Sequence, residues 1–526
     1  MCKRLILGTL PLLFLAPSSF PIPEVEPLID SPLKTIGSDF NGDGRNDFII
    51  GSDLTDTGGN AYVFFGSTTL SGTKNFSTGD SPDFTVVGKA ANDGVGRSVA
   101  SAGDVNGDGI DDILLGADRN DDRATDAGAA YLFFGLTTLG GTTKDLSASQ
   151  FADFSVIGKA AGDGLGISVS GAGDVNGDGF DDFIVGAYLN DDLTSDAGTA
   201  YVFYGSQALS GTKDLGGSGF SDVSVLGKAS TDRLGRAVSG GGDLNRDGFD
   251  DLWIGAPNND DGTSVGYQQG AAYVFFGGSN LSSTIQLNQQ SADMTVLGKG
   301  GSDYLGKFLS GSGDVNRDGF DDWIVGSYRY DTSANNNRGA VYVFFGSTSL
   351  SGTHDMFASG TPDVSVIGVG NYGYLGNSVS NAGDINDDGF DDMIMGAYRS
   401  DNNSAEDGAI YVLYGSSTLS GTRNLAGDSP PELTIIGKAS GDQLGKSVSG
   451  LGDVNGDGIP DMIAGAWRND DGGSNAGAAY LFFGSSNRIT GTKRAAADSA
   501  DMTVVGKSAL DELGAAVGGG RNNPGP

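Results

Sequence analysis

Asp104-Val-Asn-Gly-Asp-Gly-Ile-Asp-Asp112 is one of seven copies of a nine-residue pattern, D-x-N-x-D-G-x-x-D, in this chain. The copies begin at Asp39, Asp104, Asp174, Asp243, Asp314, Asp384 and Asp453, at steps of 65, 70, 69, 71, 70 and 69 residues. One copy would be explained by turn propensity, since Asp, Asn and Gly all favour turns. Seven copies at a near-constant step define a repeat. A unit of that size is too small to bury a good core alone and must lean on its neighbours.

The residues between the loops read as strands. Leu165-Gly-Ile-Ser-Val-Ser170 alternates (strand A) and precedes the Asp174 loop. Asp182-Phe-Ile-Val-Gly186 is an apolar run suited to burial on both faces (strand B). An acidic loop, residues 190–198, leads to Ala200-Tyr-Val-Phe-Tyr204 (strand C). A Ser-Gly-Thr-Lys loop at 210–213 leads to Asp222-Val-Ser-Val-Leu-Gly227 (strand D). Four short strands per repeat fit a propeller blade. No 3.6-residue periodicity supports a helical solenoid, and the repeat is far longer than a calcium β-helix period. WD40 and kelch signatures are missing. The expectation is an all-β, seven-bladed β-propeller of four-stranded antiparallel blades over residues 37–520. The repeat series opens on a loop and ends on an A strand, Leu513-Gly-Ala-Ala-Val517. That predicts closure by pairing the last A strand with the first B strand, which removes two sheet edges.

Composition narrows the function. The chain has 526 residues, 90 of them glycine, with 31 basic and 67 acidic residues and a net charge of −36. Nucleic acid is a poor partner for such a surface. Lys3 and Arg4 followed by the apolar stretch from Leu5 to Ala16 resemble a secretory signal, so residues 1–27 are expected to be a signal peptide and short leader, and 521–526 a short tail. The expected location is secreted or extracellular at a cell surface, with a periplasmic location as an alternative. No later segment is apolar for long enough to serve as a transmembrane anchor. The only cysteine, Cys2, lies in the leader, leaving no thiol for disulfides, metal sites or catalysis in the remainder.

The repeated loop has the donors that calcium requires, six to eight hard oxygens aimed at one point. Positions 1, 3, 5 and 9 would supply side chains and position 7 a backbone carbonyl. The expected ligands are Asp39, Asn41, Asp43, Arg45 and Asp47; Asp104, Asn106, Asp108, Ile110 and Asp112; Asp174, Asn176, Asp178, Phe180 and Asp182; Asp243, Asn245, Asp247, Phe249 and Asp251; Asp314, Asn316, Asp318, Phe320 and Asp322; Asp384, Asn386, Asp388, Phe390 and Asp392; Asp453, Asn455, Asp457, Ile459 and Asp461. Up to seven Ca2+ ions follow. The position-7 side chain is expected to turn toward the core. Position 12 is apolar in every copy, so the loop is not an EF-hand, and magnesium suits so protein-rich a donor set less well.

These motifs carry a family resemblance. The A-strand Leu-Gly pair (Leu165-Gly166, Leu444-Gly445), the acidic loop and the Gly-Ala after strand B, with Gly255-Ala256-Pro257 a literal G-A-P, resemble the FG-GAP repeats of the integrin α-subunit N-terminal propeller. The resemblance implies calcium in the A–B loops on one face and ligands mainly on the other. The F of FG is Leu or Val here, and loops occur in all seven blades, which points to a bacterial-type member. No inserted domain, stalk or anchor is expected.

The B–C and D–A loops should therefore form the recognition face. Acids cluster in the B–C loops (Asp118, Asn120, Asp121, Asp122; Asn190, Asp191, Asp192; Asp260, Asp261; Asp470, Asp471) and the D–A loops (Asp163, Asp232, Asp303, Asp442), beside Tyr188, Tyr328, Tyr398 and Trp467. Acid beside aromatics suits a cationic peptide or a carbohydrate; a merely solvated rim is the simpler alternative. The leading expectation is a non-enzymatic adhesion or ligand-binding module for an extracellular protein or glycan. A hydrolase or lyase working with face carboxylates, or a structural matrix component, are the alternatives. The sole histidine, His354, replaces the Lys of a repeated loop, which disfavours a His-dependent triad.

Overall fold

A B strand such as Asp182–Ala187, buried along its whole length, has to be covered on both sides, and the chain does this by ringing seven such sheets around an axis. The computed structural model describes residues 38–519 apart from 53–57, 149–151, 218, 241, 262–267, 332–336, 359, 402–404, 428–430 and 496–498. The expected signal segment lies outside the described residues. Within them the protein is all-β, with seven sheets. No described helix is long and apolar enough to cross a membrane.

Each sheet has five strands, not the four read from sequence. In the third blade the order is Leu165–Gly173 (A), Asp182–Ala187 (B), Thr199–Phe203 (C) and Val223–Leu226 (D), all antiparallel. The fifth strand, Thr284–Gln286, comes from the following repeat and pairs parallel to strand D. The same exchange recurs around the ring, so the Ser-Gly-Thr-Lys segment is an edge strand of the preceding blade. His354 sits on one of these strands, opposite Val296. Sequence reading missed the strand because it is three or four residues long and largely exposed, and its hydrogen-bond partner lies in another repeat.

Ring closure occurs as expected, and twice over. Ala516–Gly518 pairs with Phe48–Ser52, matching Ile50 with Val517. In addition, Gly72–Asn75 pairs parallel to Met502–Val505 of the last blade. Both ends of the chain thus cross the same seam in opposite directions.

The cores lie between blades. Ile113, Leu115 and Tyr131 of the second blade cluster with Val63, Phe84 and Val86 of the first. Trp253 and Trp323, fully buried, stack 6.4 Å apart across the next-but-two interface. Burying each such side chain contributes about 1.5–3 kcal/mol. The motif glycines sit where neighbouring blades touch. A Cβ on Gly255 would stand 1.8 Å from the carbonyl oxygen of Gly306, the glycine of the next Leu-Gly pair. The A strands line the axis, each packed on the next, with Ala516–Gly518 completing the circle against Ser98–Gly103.

Candidate functional site

The acidic loops join strands A and B at one end of every blade. In the second blade, Asp104 Oδ1 accepts from the N–H groups of Gly107 (2.7 Å) and Asp108 (2.9 Å), and Oδ2 from that of Gly109 (2.8 Å). Asp108 Oδ1 accepts from Ile110 N–H at 3.0 Å. The position-6 glycines need φ of +86° to +90°, which explains why no other residue occurs there. Position 4 is also left-handed, and there Arg246, Arg317 and Asp387 adopt φ of +57° to +59°.

Asp112 at position 9 is buried. Its Oδ2 accepts from Val105 N–H (3.1 Å) and its Oδ1 from Gly135 N–H (2.9 Å), so one carboxylate ties the loop to the end of strand C. Burial pushes it up to about 8, and Asp108 and Asp104 add to the rise. Asp47, Asp182, Asp251 and Asp461 are raised to about 8 and Asp322 and Asp392 to about 9, again chiefly by burial. Among the described residues no three carboxylates form a ready-made cation cage, because position 1 is turned onto the loop's own N–H groups. The donor set nonetheless fits a hard cation. A half-buried carboxylate at position 1 and an exposed one at position 5 crowd a buried one at position 9, and a divalent ion would relieve that repulsion.

Two features of these loops went unread in the sequence. The position-8 residue reaches the neighbouring loop: Asp181 Oδ2 accepts from Asp104 N–H at 2.8 Å, and Asp250, Asp321 and Asp391 repeat the bond onward. The recurrence of Asp or Asn at position 8 in six copies was the available signal. The position-7 side chain does not turn into the core as expected. Half-buried Phe180 and Phe249 lie over Gly107 and Gly177 of the preceding loop, where a Cβ would stand 2.5 and 2.4 Å from the ring. Where position 4 is arginine, its guanidinium covers the ring instead, Arg246 over Phe320 at 5.4 Å and Arg317 over Phe390 at 5.8 Å. Position-8 bonds join the loops at six of the seven interfaces; at the seventh, Pro460 replaces the acid or amide.

Antiparallel pairing places the B–C and D–A loops together at the opposite end. Their acids brace the fold. Asn120 Nδ2 donates to Asp93 (3.1 Å), Asn190 to Asp163 (3.0 Å), Asn259 to Asp232 (3.2 Å) and Asn469 to Asp442 (3.1 Å). Burial raises Asp232 and Asp442 to about 6 and Asp303 to about 7. Asp122, Asp192, Asp261 and Asp471 pair with Lys89, Lys159, Lys228 and Lys438. Most of these carboxylates thus have structural work.

The aromatic residues do gather on the rim. Tyr304, Tyr328, Tyr374 and Tyr398 follow one another at centroid separations of 5.8, 5.8 and 5.7 Å. Lys446 Nζ extends the arc, lying 5.4 Å from the Tyr398 ring and 4.8 Å from that of Trp467. Tyr188 stands apart beneath Arg233 and Arg236. Tyr304 and Tyr374 were missed; each precedes a Leu-Gly pair, and their φ of +55° and +57° is the left-handed turn that Arg233, Gln443 and Glu512 also take at that place in their blades. Cations, not acids, therefore face the aromatic rings.

FG-GAP repeat models match residues 95–133, 165–203, 234–275, 310–344 and 375–413, and a second FG-GAP model matches 432–482. Integrin alpha pat-2 of Caenorhabditis elegans is 31% identical over 240 residues, 43% of this chain and 17% of that protein. Integrin alpha-5 of Xenopus laevis is 28% identical over 237 residues, 44% of this chain and 19% of that one. Phosphatidylinositol-glycan-specific phospholipase D of Dictyostelium discoideum is 30% identical over 220 residues, 39% of this chain and 23% of that one. The chain spans less than a quarter of the length of each of these relatives. With its seven blades and its recurring Leu-Gly and Gly-Ala motifs, the chain carries FG-GAP repeats in a propeller similar to that of integrin α-subunits.

Proposed function

We propose that this protein is an extracellular, calcium-binding adhesion or ligand-binding module without catalytic activity. The reading rests chiefly on the division of labour between its two ends. At one end, a belt of seven loops presents the oxygen donors of Asp104, Asn106, Asp108 and Asp112 and their counterparts, with the Ile110 carbonyl and its equivalents as further donors. Calcium there would supply charge compensation to buried carboxylates and stiffen the belt. At the other end, an arc of aromatic rings, buried at Tyr328 and Tyr374 and half-buried at Tyr304, Tyr398 and Trp467, offers an edge suited to a protein or glycan. Similarity to integrin α-subunits supports adhesion; the leader segment supports secretion. A hydrolase reading draws support from similarity to the phospholipase D of Dictyostelium. The deciding experiment is a calcium titration by calorimetry, followed by extracellular-matrix protein and glycan arrays with and without calcium, run beside a phospholipase assay. Calcium-dependent capture without turnover supports the module; turnover that copurifies with the chain overturns it.

A further inference from the structure

Four cations converge on the axis of a chain whose net charge is −36. Arg236, Lys307 and Lys446 each follow the glycine of a Leu-Gly pair and Arg97 that of the equivalent Val95-Gly96, and all four line one cavity of about 290 Å³ at the rim end of the channel. The fold does not demand a cation there, because the equivalent positions in the other three blades are Ile167, Asn377 and Ala515. All four are half-buried. Aromatic rings flank three of them: Lys307 Nζ lies 4.3 Å from the Tyr328 ring centre, Lys446 4.8 Å from that of Trp467, and the Arg236 guanidinium 5.5 Å from that of Tyr188. The floor is apolar. Val99, Val238, Leu309, Val379, Val448 and Val517 line both this cavity and a serine-lined one deeper along the axis. A charged ligand entering from the rim would stop at that ring.

We propose that this axial funnel is an oxyanion-binding site, in which Arg97, Arg236, Lys307 and Lys446 close around one carboxylate, sulfate or phosphate group. Like charges gathered in a half-enclosed cavity repel one another more strongly than in water. Burial, followed by Arg236, Lys446, Arg329 and Arg97, brings Lys307 down to about 7. An anion replaces that repulsion with charge-assisted hydrogen bonds, and the guanidinium groups suit a planar or tetrahedral oxyanion. The site goes beyond the proposed adhesive role, because it concerns a small group on the axis and holds whether or not a large partner covers the rim.

The test is a titration of sodium sulfate into the calcium-loaded full chain at pH 6.5 and constant chloride-adjusted ionic strength, read by calorimetry and tryptophan fluorescence. Trp467 beside Lys446 reports the site, whereas Trp253 and Trp323 are fully buried. Saturable one-to-one binding is expected, weakened at least tenfold in both Lys307→Met and Arg236→Gln. Lys89→Met, at an exposed ion pair outside the funnel, should bind as the parent does. Thermal melts guard against misfolding: Lys307→Met should melt no lower than the parent, since it removes a repelled charge. Phosphate and a sulfated disaccharide form further arms. Affinity for the disaccharide at least tenfold above that for sulfate, lost in the same variants, assigns the anion to a glycan; equal affinity assigns a free oxyanion. Non-saturable sulfate binding, or affinity unchanged in folded Lys307→Met and Arg236→Gln, overturns the proposal and leaves the adhesive reading untouched.

Discussion

Asn46 and Asp453 are bonded reciprocally across the seam of the ring: Asp453 N–H donates to Asn46 Oδ1 at 3.1 Å, and Asn46 N–H donates to the Asp453 carbonyl at 3.2 Å. They lie 407 residues apart and join the first acidic loop to the last. At five other interfaces an aspartate makes the same bond, so the seam is sealed as those are; between the sixth and seventh loops position 8 is Pro460, which has no carboxylate. Deleting residues 508–526 would strip the closing strand from Phe48–Ser52 and expose Ile49 and Ile50, both fully buried. A sharply lowered melting temperature is expected; an unchanged melt would mean the seam contributes nothing. Asn46→Ala, the milder lesion, should cost about 1 kcal/mol in denaturant unfolding.

Gly255→Ala tests the close approach between blades. The added methyl would stand 1.8 Å from the Gly306 carbonyl, and neither backbone can yield without disturbing its own sheet. A loss of at least about 3 kcal/mol is expected, of the size seen for core overpacking and worse. The check is chemical denaturation against Gly44→Ala, where no atom lies within 4 Å of the new Cβ and only the φ of +86° penalises the change.

Stability without metal should fall as pH rises. Asp112 and its equivalents have native-state values raised to about 8 or 9 from an ordinary 3.8, so the native state holds more protons than the unfolded chain between those limits. Stability from that source is complete below about pH 4 and is lost as pH climbs through 8. Calcium should invert the slope, since it binds the deprotonated carboxylates. Melting temperatures from pH 5 to 8.5, in EDTA and in calcium, would show opposite trends. Parallel trends would remove the metal from the loops.

Replacing Asp112 by Asn in one blade separates the two roles of position 9. The amide can still accept from Val105 or Gly135 through its oxygen, yet it brings no charge to a cation. The metal-free variant should lose about 1–3 kcal/mol in denaturant unfolding, because its amide NH2 faces the second buried N–H donor, while calorimetric calcium stoichiometry drops by one site. A full complement of sites would move the ion elsewhere.

Alanine at Tyr188, Tyr398 and Trp467 together should abolish capture of a partner on the rim while leaving calcium stoichiometry intact. These rings are half-buried and stack mainly on Arg236 and Lys446, so the melt should shift by only a few degrees. Undiminished capture would place recognition on another surface.

The sequence by itself determined the blade count, the strand pattern A to D and the direction of closure, because each is a local signal repeated seven times at a near-constant step. It also held the loop donors, whose Asp, Asn and Gly have turn roles fixed within nine residues. Only the tertiary structure decided what crosses from one repeat to the next. The fifth strand of each blade, the aspartate at position 8 and the Phe180 ring over Gly107 all find their partners about 70 residues away, and no local pattern records such a pairing. The charge of the rim was decided there too. Sequence placed acids beside Tyr188 and Trp467, but folding turned most of those acids into buried braces and ion pairs and brought Arg236 and Lys446 onto the rings, because A strands from separate blades meet at one axis.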